Sequence, residues 1–178
     1  AIPIVYGYRQ VGGIITFCET GSDNNKYLWV AYVLAEGPIE GIRELYIDDN
    51  VVGATNIPAL NAGGVVTISD TASGKLKGRC KLLLSLGTGS QVGEYVKANL
   101  FQSSPSWTVD MDYNNLAVLF AQYEWVNATD QATAEANPFS GSIPKIKASI
   151  LGRKVTSLTS GTPENSSYNL YDGAYSSN

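Results

Sequence analysis

The stretch YLWVAYVLA, residues 27–35, is the longest strongly apolar run of the chain. Apolar side chains fill both its odd and its even positions, so a β-strand formed here buries both of its faces. We therefore predict a strand at the centre of a sheet or in a contact between subunits. Gly37-Pro38 ends the run, as this pair does at many turns.

The segments on both sides of this run also favour β-structure. Residues 14–17 form a short β-branched run before it. Residues 42–52 predict a hairpin of two strands, 44–47 and 51–52, around the turn Asp48-Asp49-Asn50. Four further strands are predicted at residues 65–68, 79–86, 115–126 and 145–151. In the last of them lysines alternate with apolar residues, which indicates one solvent face and one buried face.

One segment breaks the β pattern. After the glycine-rich break at residues 87–90, Val92, Tyr95, Val96 and Leu100 recur at helical spacing. They predict one short helix over residues 91–100, with Ser90 as its N-cap. Residues 54–64 and 105–112 are predicted to be loops, and the second carries Trp107. The expected class is therefore mainly β with one short α-helix.

Composition excludes several functions. Only 16% of the 178 residues are charged, against about 25% in typical soluble domains, which indicates a surface packed among other proteins. The net charge of −4 offers no field for nucleic acid, so we expect no sequence-specific nucleic-acid partner. The longest apolar run is about half of what a membrane-spanning helix needs, so we expect no membrane insertion by this region.

Catalytic signals are weak. The chain has no histidine, which rules out Ser-His and Cys-His nucleophilic pairs within it. The nearest carboxylate pairs are Asp110 with Asp112 and Glu40 with Glu44, and a surface loop explains the first pair more simply than a glycosidase site. The glycines at residues 87–93 do not have dinucleotide-binding spacing. We predict no enzyme, no cofactor and no metal.

The aromatic content allows two interpretations. Eleven tyrosines and three tryptophans fit a core combined with protein interfaces, where an apolar ring and a polar group are both used. Aromatic rings also stack on sugars, so a carbohydrate-binding β-domain that contacts the host cell surface is the alternative. The two differ in whether the rings lie along one exposed face.

A series of motifs in order along residues 3–155 resembles one protein family. The motifs are PIVYGYRQVGG (3–13), ETGSDNN (19–25), YLWVAYVLAE (Tyr27–Glu36), GPIEGIRELYIDD (37–49), LGTGSQVGEYVKANL (86–100), PSWTVDMDYNNLAVLFAQYEW (105–125) and IPKIKASILGRKV (143–155). This succession resembles the tail tip attachment protein J and baseplate hub family of long-tailed, lambda-like bacteriophages. Two places depart from it. Asp110-Met111-Asp112 stands where the family usually has a basic or histidine-containing stretch, and Asn114-Asn115 where it has a glycine.

The resemblance implies a tail-tube-like hub β-domain over residues 1–155, with an inserted or lateral β subdomain around residues 50–140. Residues 156–178 would be a polar tail or the start of a following domain. It further implies a homotrimer at the distal tail tip of the virion, assembled in the host cytoplasm. The implied partners are the distal tail protein, the tail tube protein, the tape measure protein and tail fibre or tip proteins. The hub would form part of the channel for genome ejection. The net negative charge of the chain suits a channel wall that should not bind DNA.

The candidate site residues are architectural. We expect a turn and first strand, a tight bend, an anchor for the helix and a final strand, with Arg9 and Arg153 pairing with carboxylates at junctions. The candidates in that order are Tyr6, Gly7, Arg9, Gly12 and Gly13; Glu36, Gly37, Pro38 and Glu40; Trp107; and Gly152, Arg153 and Lys154.

Overall fold

A computed structural model of the chain describes residues 1–21, 25–89, 91–126, 135, 137–138 and 142–153. Lys154 and the segment 156–178 lie outside these residues, as does most of the polar stretch after residue 126. Within the described residues the strands are β1 (Tyr8–Gly12), β2 (Ile14–Gly21), β3 (Tyr27–Glu36), β4 (Gly41–Ile47), β5 (Asn50–Val51), β6 (Val66–Thr67), β7 (Cys80–Ser85), β8 (Leu116–Glu124) and β9 (Ile146–Leu151). The α-helices are α1 (Ile57–Asn61) and α2 (Val92–Asn99). The mainly β class is confirmed.

The strands form two antiparallel sheets. The four-stranded sheet has the order β1-β9-β4-β5, and the five-stranded sheet has the order β2-β3-β8-β7-β6. β1 and β2 follow each other directly but belong to different sheets, so the chain crosses between the sheets at Gly13. A Cβ atom at Gly13 would lie 2.4 Å from Cγ1 of Ile146 and 2.9 Å from Cβ of Tyr32. Only glycine fits this crossing without displacing its neighbours.

β3 is buried on both faces, which confirms the prediction for residues 27–35. Leu28, Val30 and Tyr32 belong to the apolar cluster that joins the two sheets. Trp29 and Ala31 belong to a second cluster that joins the five-stranded sheet to α2 and the loop after it. The five-stranded sheet is therefore the middle layer of the molecule.

A buried pair of tyrosines lies between the two sheets. The Tyr32 hydroxyl donates to the Pro144 carbonyl at 2.8 Å and lies 3.3 Å from the Tyr123 hydroxyl. Burial raises the pKa of both phenols, so both stay protonated at neutral pH. The polar end of each ring is thus satisfied inside an otherwise apolar core.

The hairpin is also confirmed. β4 and β5 pair through Tyr46 with Val51. The two turn residues, Asp48 and Asp49, have φ of 47° and 63°, as in the tight turns that match strand twist. Aspartate tolerates this left-handed backbone better than most residues.

Residues 54–64, predicted as a loop, contain a 3-10 turn (Ala54–Asn56) and α1. Ile57 and Leu60 are buried three residues apart on this short helix, a spacing that gives too weak a pattern to predict. α2 lies where the helix was predicted, but its N-cap is Gln91, with φ of 64°, rather than Ser90. Ser90 itself lies outside the described residues.

Candidate assembly site

Three segments distant in sequence meet at one end of the four-stranded sheet. The Glu36 N–H donates to the Pro3 carbonyl and the Arg153 N–H to the Val5 carbonyl, both at 2.8 Å. The Gly152 N–H donates to the Gly7 carbonyl at 2.9 Å. We call residues 3–7, 36–40 and 151–153 the terminal junction. It ties the start of the chain to the bend after β3 and to the end of β9.

Two glycines of the terminal junction are required by close contacts. A Cβ atom at Gly152 would lie 2.3 Å from the carbonyl oxygen of Val5. Gly37 has φ of +77°, and a Cβ atom there would overlap the Arg153 guanidinium. A side chain at Gly152 would therefore displace the Val5 backbone, whereas one at Gly37 would displace the Arg153 side chain and strain the backbone at a positive φ.

Arg153 packs over the bend rather than over a carboxylate. Its Nε atom is buried and has no hydrogen-bond partner, and its side chain, with Pro38, Ile39 and Glu40, lines an open cavity of about 570 Å³. Leaving a buried donor unpaired costs about 1–3 kcal/mol. The cavity places a cationic group beside an apolar wall at the surface.

The predicted carboxylate pairs of Arg9 and Arg153 are not found among the described residues. Arg9 instead donates from Nη1 to the Tyr8 carbonyl at 3.0 Å. The ion pairs within the described residues join Lys26 to Glu124 and Lys147 to Asp49.

The candidate residues lie in three parts of the structure. Tyr6, Gly7, Glu36, Gly37, Pro38, Glu40, Gly152 and Arg153 all lie in the terminal junction. Arg9 and Gly12 lie on β1, and Gly13 lies at the crossing. Trp107 lies apart, in the cluster around α2.

Trp107, the predicted anchor, packs against α2. It is 1% exposed, and its Nε1 atom donates to the Gly93 carbonyl at 3.0 Å. Phe101 and Phe120 meet its ring edge-on at 4.9 and 5.7 Å between centroids. Tyr113 stacks on it at 5.9 Å with the ring planes only 4° apart. Such pairs each add about 0.5–1.5 kcal/mol beyond burial.

Sequence analysis missed a polar tie between β2 and the loop after α2. The Glu19 carboxylate accepts hydrogen bonds from the Ser106 N–H at 3.2 Å and from the Ser104 hydroxyl. Burial alone would raise the pKa of Glu19, but these hydrogen bonds and the charge of Lys97 lower it. The partners are far apart in sequence, so no local pattern reveals the contact.

The carboxylate pairs considered for catalysis lie in two different surroundings. Asp110 and Asp112 are exposed loop residues, while the Glu44 carboxylate accepts a hydrogen bond from the Ser149 hydroxyl at 2.9 Å. The described residues contain no group of three acidic, cysteine or histidine side chains arranged to hold a metal ion. Among these same residues, no helix is long and apolar enough to cross a membrane.

The largest aromatic rings do not form a sugar-stacking surface. Trp29, Trp107, Tyr32 and Tyr123 are fully buried or nearly so. Stacking on a sugar requires an exposed ring face, so these four rings serve the core. Tyr6, Tyr8 and Tyr95 are the tyrosines with exposed side chains among the described large apolar residues, so the carbohydrate-binding alternative depends on these three rings.

The fold and the site together define a mainly β domain whose candidate residues make backbone junctions and packing contacts. No protein-family model matches the chain. The chain is 41% identical over 49 residues to the baseplate hub protein pb3 of Escherichia phage T5, a match that covers 28% of this chain and 5% of that protein. This similarity supports a phage tail or baseplate type of protein and does not reach to a particular family.

One solved structure is also similar in shape. It is a chain from the virion of a native gene transfer agent particle, with a TM-score of 0.48 and 12% identity, and the likeness covers 89% of this chain and 28% of that one. At this TM-score the likeness does not establish a common fold.

Proposed function

We propose that the chain is a structural domain of a phage tail hub or tip, located in the virion at the distal end of the tail tube. The similarity to a phage baseplate hub protein carries the proposal. The proposed hub is a homotrimer that joins the tube to the tip or fibres and lines part of the channel for genome ejection. It acts without catalysis. Its proposed neighbours are the distal tail, tail tube and tape measure proteins.

The geometry of the terminal junction supports an assembly role. It brings the start of the chain, the bend after β3 and the end of β9 together by backbone hydrogen bonds. Three exposed side chains, Ile4, Tyr6 and Tyr8, lie along residues 4–8. Exposed aromatic and aliphatic side chains beside a rigid backbone are typical of protein interfaces.

The proposal is tested in assembled particles. A tagged copy of the chain, supplied during phage assembly, is expected at the distal end of the tail in electron micrographs, with three-fold symmetry. Labels along the tail shaft or on the capsid would contradict the proposed position.

Arg153 gives a finer test of the same role. Because its side chain lines the surface cavity of the terminal junction, Arg153→Ala is expected to reduce the yield of complete tails while the chain keeps its melting temperature within a few degrees. Lys81→Ala, at an exposed position of β7, is the matched control. A normal tail yield with Arg153→Ala would contradict the role of the junction.

A further inference from the structure

The two sheets have edges of very different length. Among the described residues, β5 and β6 are edge strands of two residues each. β1 and β2 are the other two edges and have five and eight residues. A long edge presents a row of unpaired backbone groups, which proteins normally cover or protect. β1 and β2 are therefore the edges at which a partner strand fits.

β2 has few of the usual protections against strand pairing. It contains no lysine, arginine or proline, and its single charged residue, Glu19, is held against the loop after α2. A register shift between Ile15 and Phe17 is its main irregularity. Five of the nine exposed large apolar side chains of the described residues lie within residues 4–15. Exposed apolar surface thus concentrates on β1, β2 and the segment before them.

We propose that β2 of one chain pairs antiparallel with β1 of a second copy, with Arg9 opposite Glu19. These are the only charged residues of the two strands. The Glu19 carboxylate keeps its negative charge while it accepts hydrogen bonds from the Ser106 N–H and the Ser104 hydroxyl, so the pairing places opposite charges across from each other. The same register places Gln10 of one copy opposite Cys18 of the other. The occupant is a second copy because this chain itself supplies the complementary charge and strand.

The backbone directions agree with this register. The Gly13 N–H donates to the carbonyl of Ile146 on β9 at 3.2 Å. Because successive residues of a strand direct their backbone groups to opposite sides, Gln10 directs its N–H and carbonyl away from β9. The Ala31 carbonyl points toward β2, because it accepts a hydrogen bond from the Thr16 hydroxyl at 3.4 Å. Phe17 is the residue of β2 that is paired with Ala31, so Phe17 directs its backbone groups toward β3. The backbone groups of Cys18, the next residue, therefore point away from β3, toward the free edge of β2. Gln10 and Cys18 present their backbone groups to each other.

The pairing joins two different surfaces, because β1 belongs to the four-stranded sheet and β2 to the five-stranded sheet. Such head-to-tail contacts close into a ring or grow into a fibre. That the ring contains three chains depends on the proposed function. The strand pairing itself is inferred from the edges and charges described above.

Disulfide trapping tests the register in the full chain. Cys18 is exposed and Cys80 is buried, so Cys18 is the accessible native thiol. With Gln10→Cys, oxidation by diamide is expected to link neighbouring chains into covalent trimers on a non-reducing gel, because paired strand residues lie at disulfide distance. Adding Cys18→Ser should abolish these bands. Val109→Cys, at a position that is 52% exposed and outside both strands, should leave single chains.

A charge on the edge tests the contact without a cross-link. Thr20→Lys places a charge on an exposed position of β2 that the proposed register puts opposite Tyr8. It is expected to shift the chain from trimer to monomer in sedimentation velocity while the far-UV circular dichroism spectrum stays that of the folded chain. Val109→Lys is the matched control and should remain trimeric.

The outcomes separate this inference from the proposed function. A wild-type trimer that gives no cross-link with Gln10→Cys overturns the strand pairing and leaves the hub proposal standing. Covalent dimers formed by wild-type Cys18 alone indicate two-fold pairing of β2 and also overturn it. A chain that stays monomeric at all concentrations overturns the pairing, while the position of the tagged chain in the particle still decides the proposed function.

Discussion

The two sheets differ in how they are covered. The five-stranded sheet packs against the other sheet on one face and against α2 and the Trp107 loop on the other. Within the described residues the four-stranded sheet is covered on one face, and its edge strand β1 has four exposed residues out of five. We therefore expect the first sheet to carry more of the stability, whereas the second leaves more of its surface exposed.

The largest effect is expected where the five-stranded sheet loses its second cover. Trp107→Ala removes a fully buried ring and its hydrogen bond to Gly93, and should lower the free energy of unfolding by about 3–5 kcal/mol. Urea unfolding followed by fluorescence of the remaining tryptophans measures this loss. Tyr95→Ala, on the exposed side of α2, is the control. A loss below about 1 kcal/mol would mean that α2 is not a supporting layer.

A smaller effect is expected at the terminal junction of the four-stranded sheet. Gly152→Ala places a methyl group against the Val5 carbonyl and should cost about 1–3 kcal/mol, the usual range for overpacking. Thermal unfolding measures the change. Gly64→Ala is the control, because its nearest neighbour would be 3.9 Å from the new Cβ. Equal melting temperatures for the two variants would show that the junction yields easily.

The smallest effect concerns pH and the tie between β2 and the loop after α2. The pKa of Glu19 is lowered in the folded chain, so its stabilising contribution is present above the unfolded pKa and is lost as pH falls through the folded pKa. Melting temperatures between neutral and strongly acidic pH should fall less steeply for Glu19→Gln than for the wild type. If the melting temperatures of the two proteins fall equally with pH, the Glu19 carboxylate makes no net contribution to stability. Glu94→Gln, on the first turn of α2, is the control.

Local patterns in the sequence predicted the middle layer well. The apolar residues of β3, the turn at Asp48-Asp49 and the helical spacing around Val96 all depend on neighbours within a few positions. Each of these predictions is confirmed by the structure. The same patterns also predicted that Trp107 lies in a loop beside the helix.

Contacts between distant residues could not be predicted in this way. Asn61 on α1 forms two hydrogen bonds with the backbone of Ile42 on β4, at 2.8 and 2.9 Å. Nothing near either residue indicates the other, and the same holds for Glu19 and its serine partners. The three segments of the terminal junction were predicted only as separate turns and strands, because the sheet topology decides that these segments lie side by side.

The order in which the strands pair has a consequence for folding during synthesis. β2, β3, β7 and β8 are all complete once residue 124 has left the ribosome, so the five-stranded sheet can form early. β9, the last strand among the described residues, lies between β1 and β4. Until residue 151 emerges, β1 has no partner strand in its sheet and β4 has only the two residues of β5. Such long-range pairing is slow. The nascent chain therefore holds an incomplete sheet open until late, and a delay at this stage favours aggregation through β1.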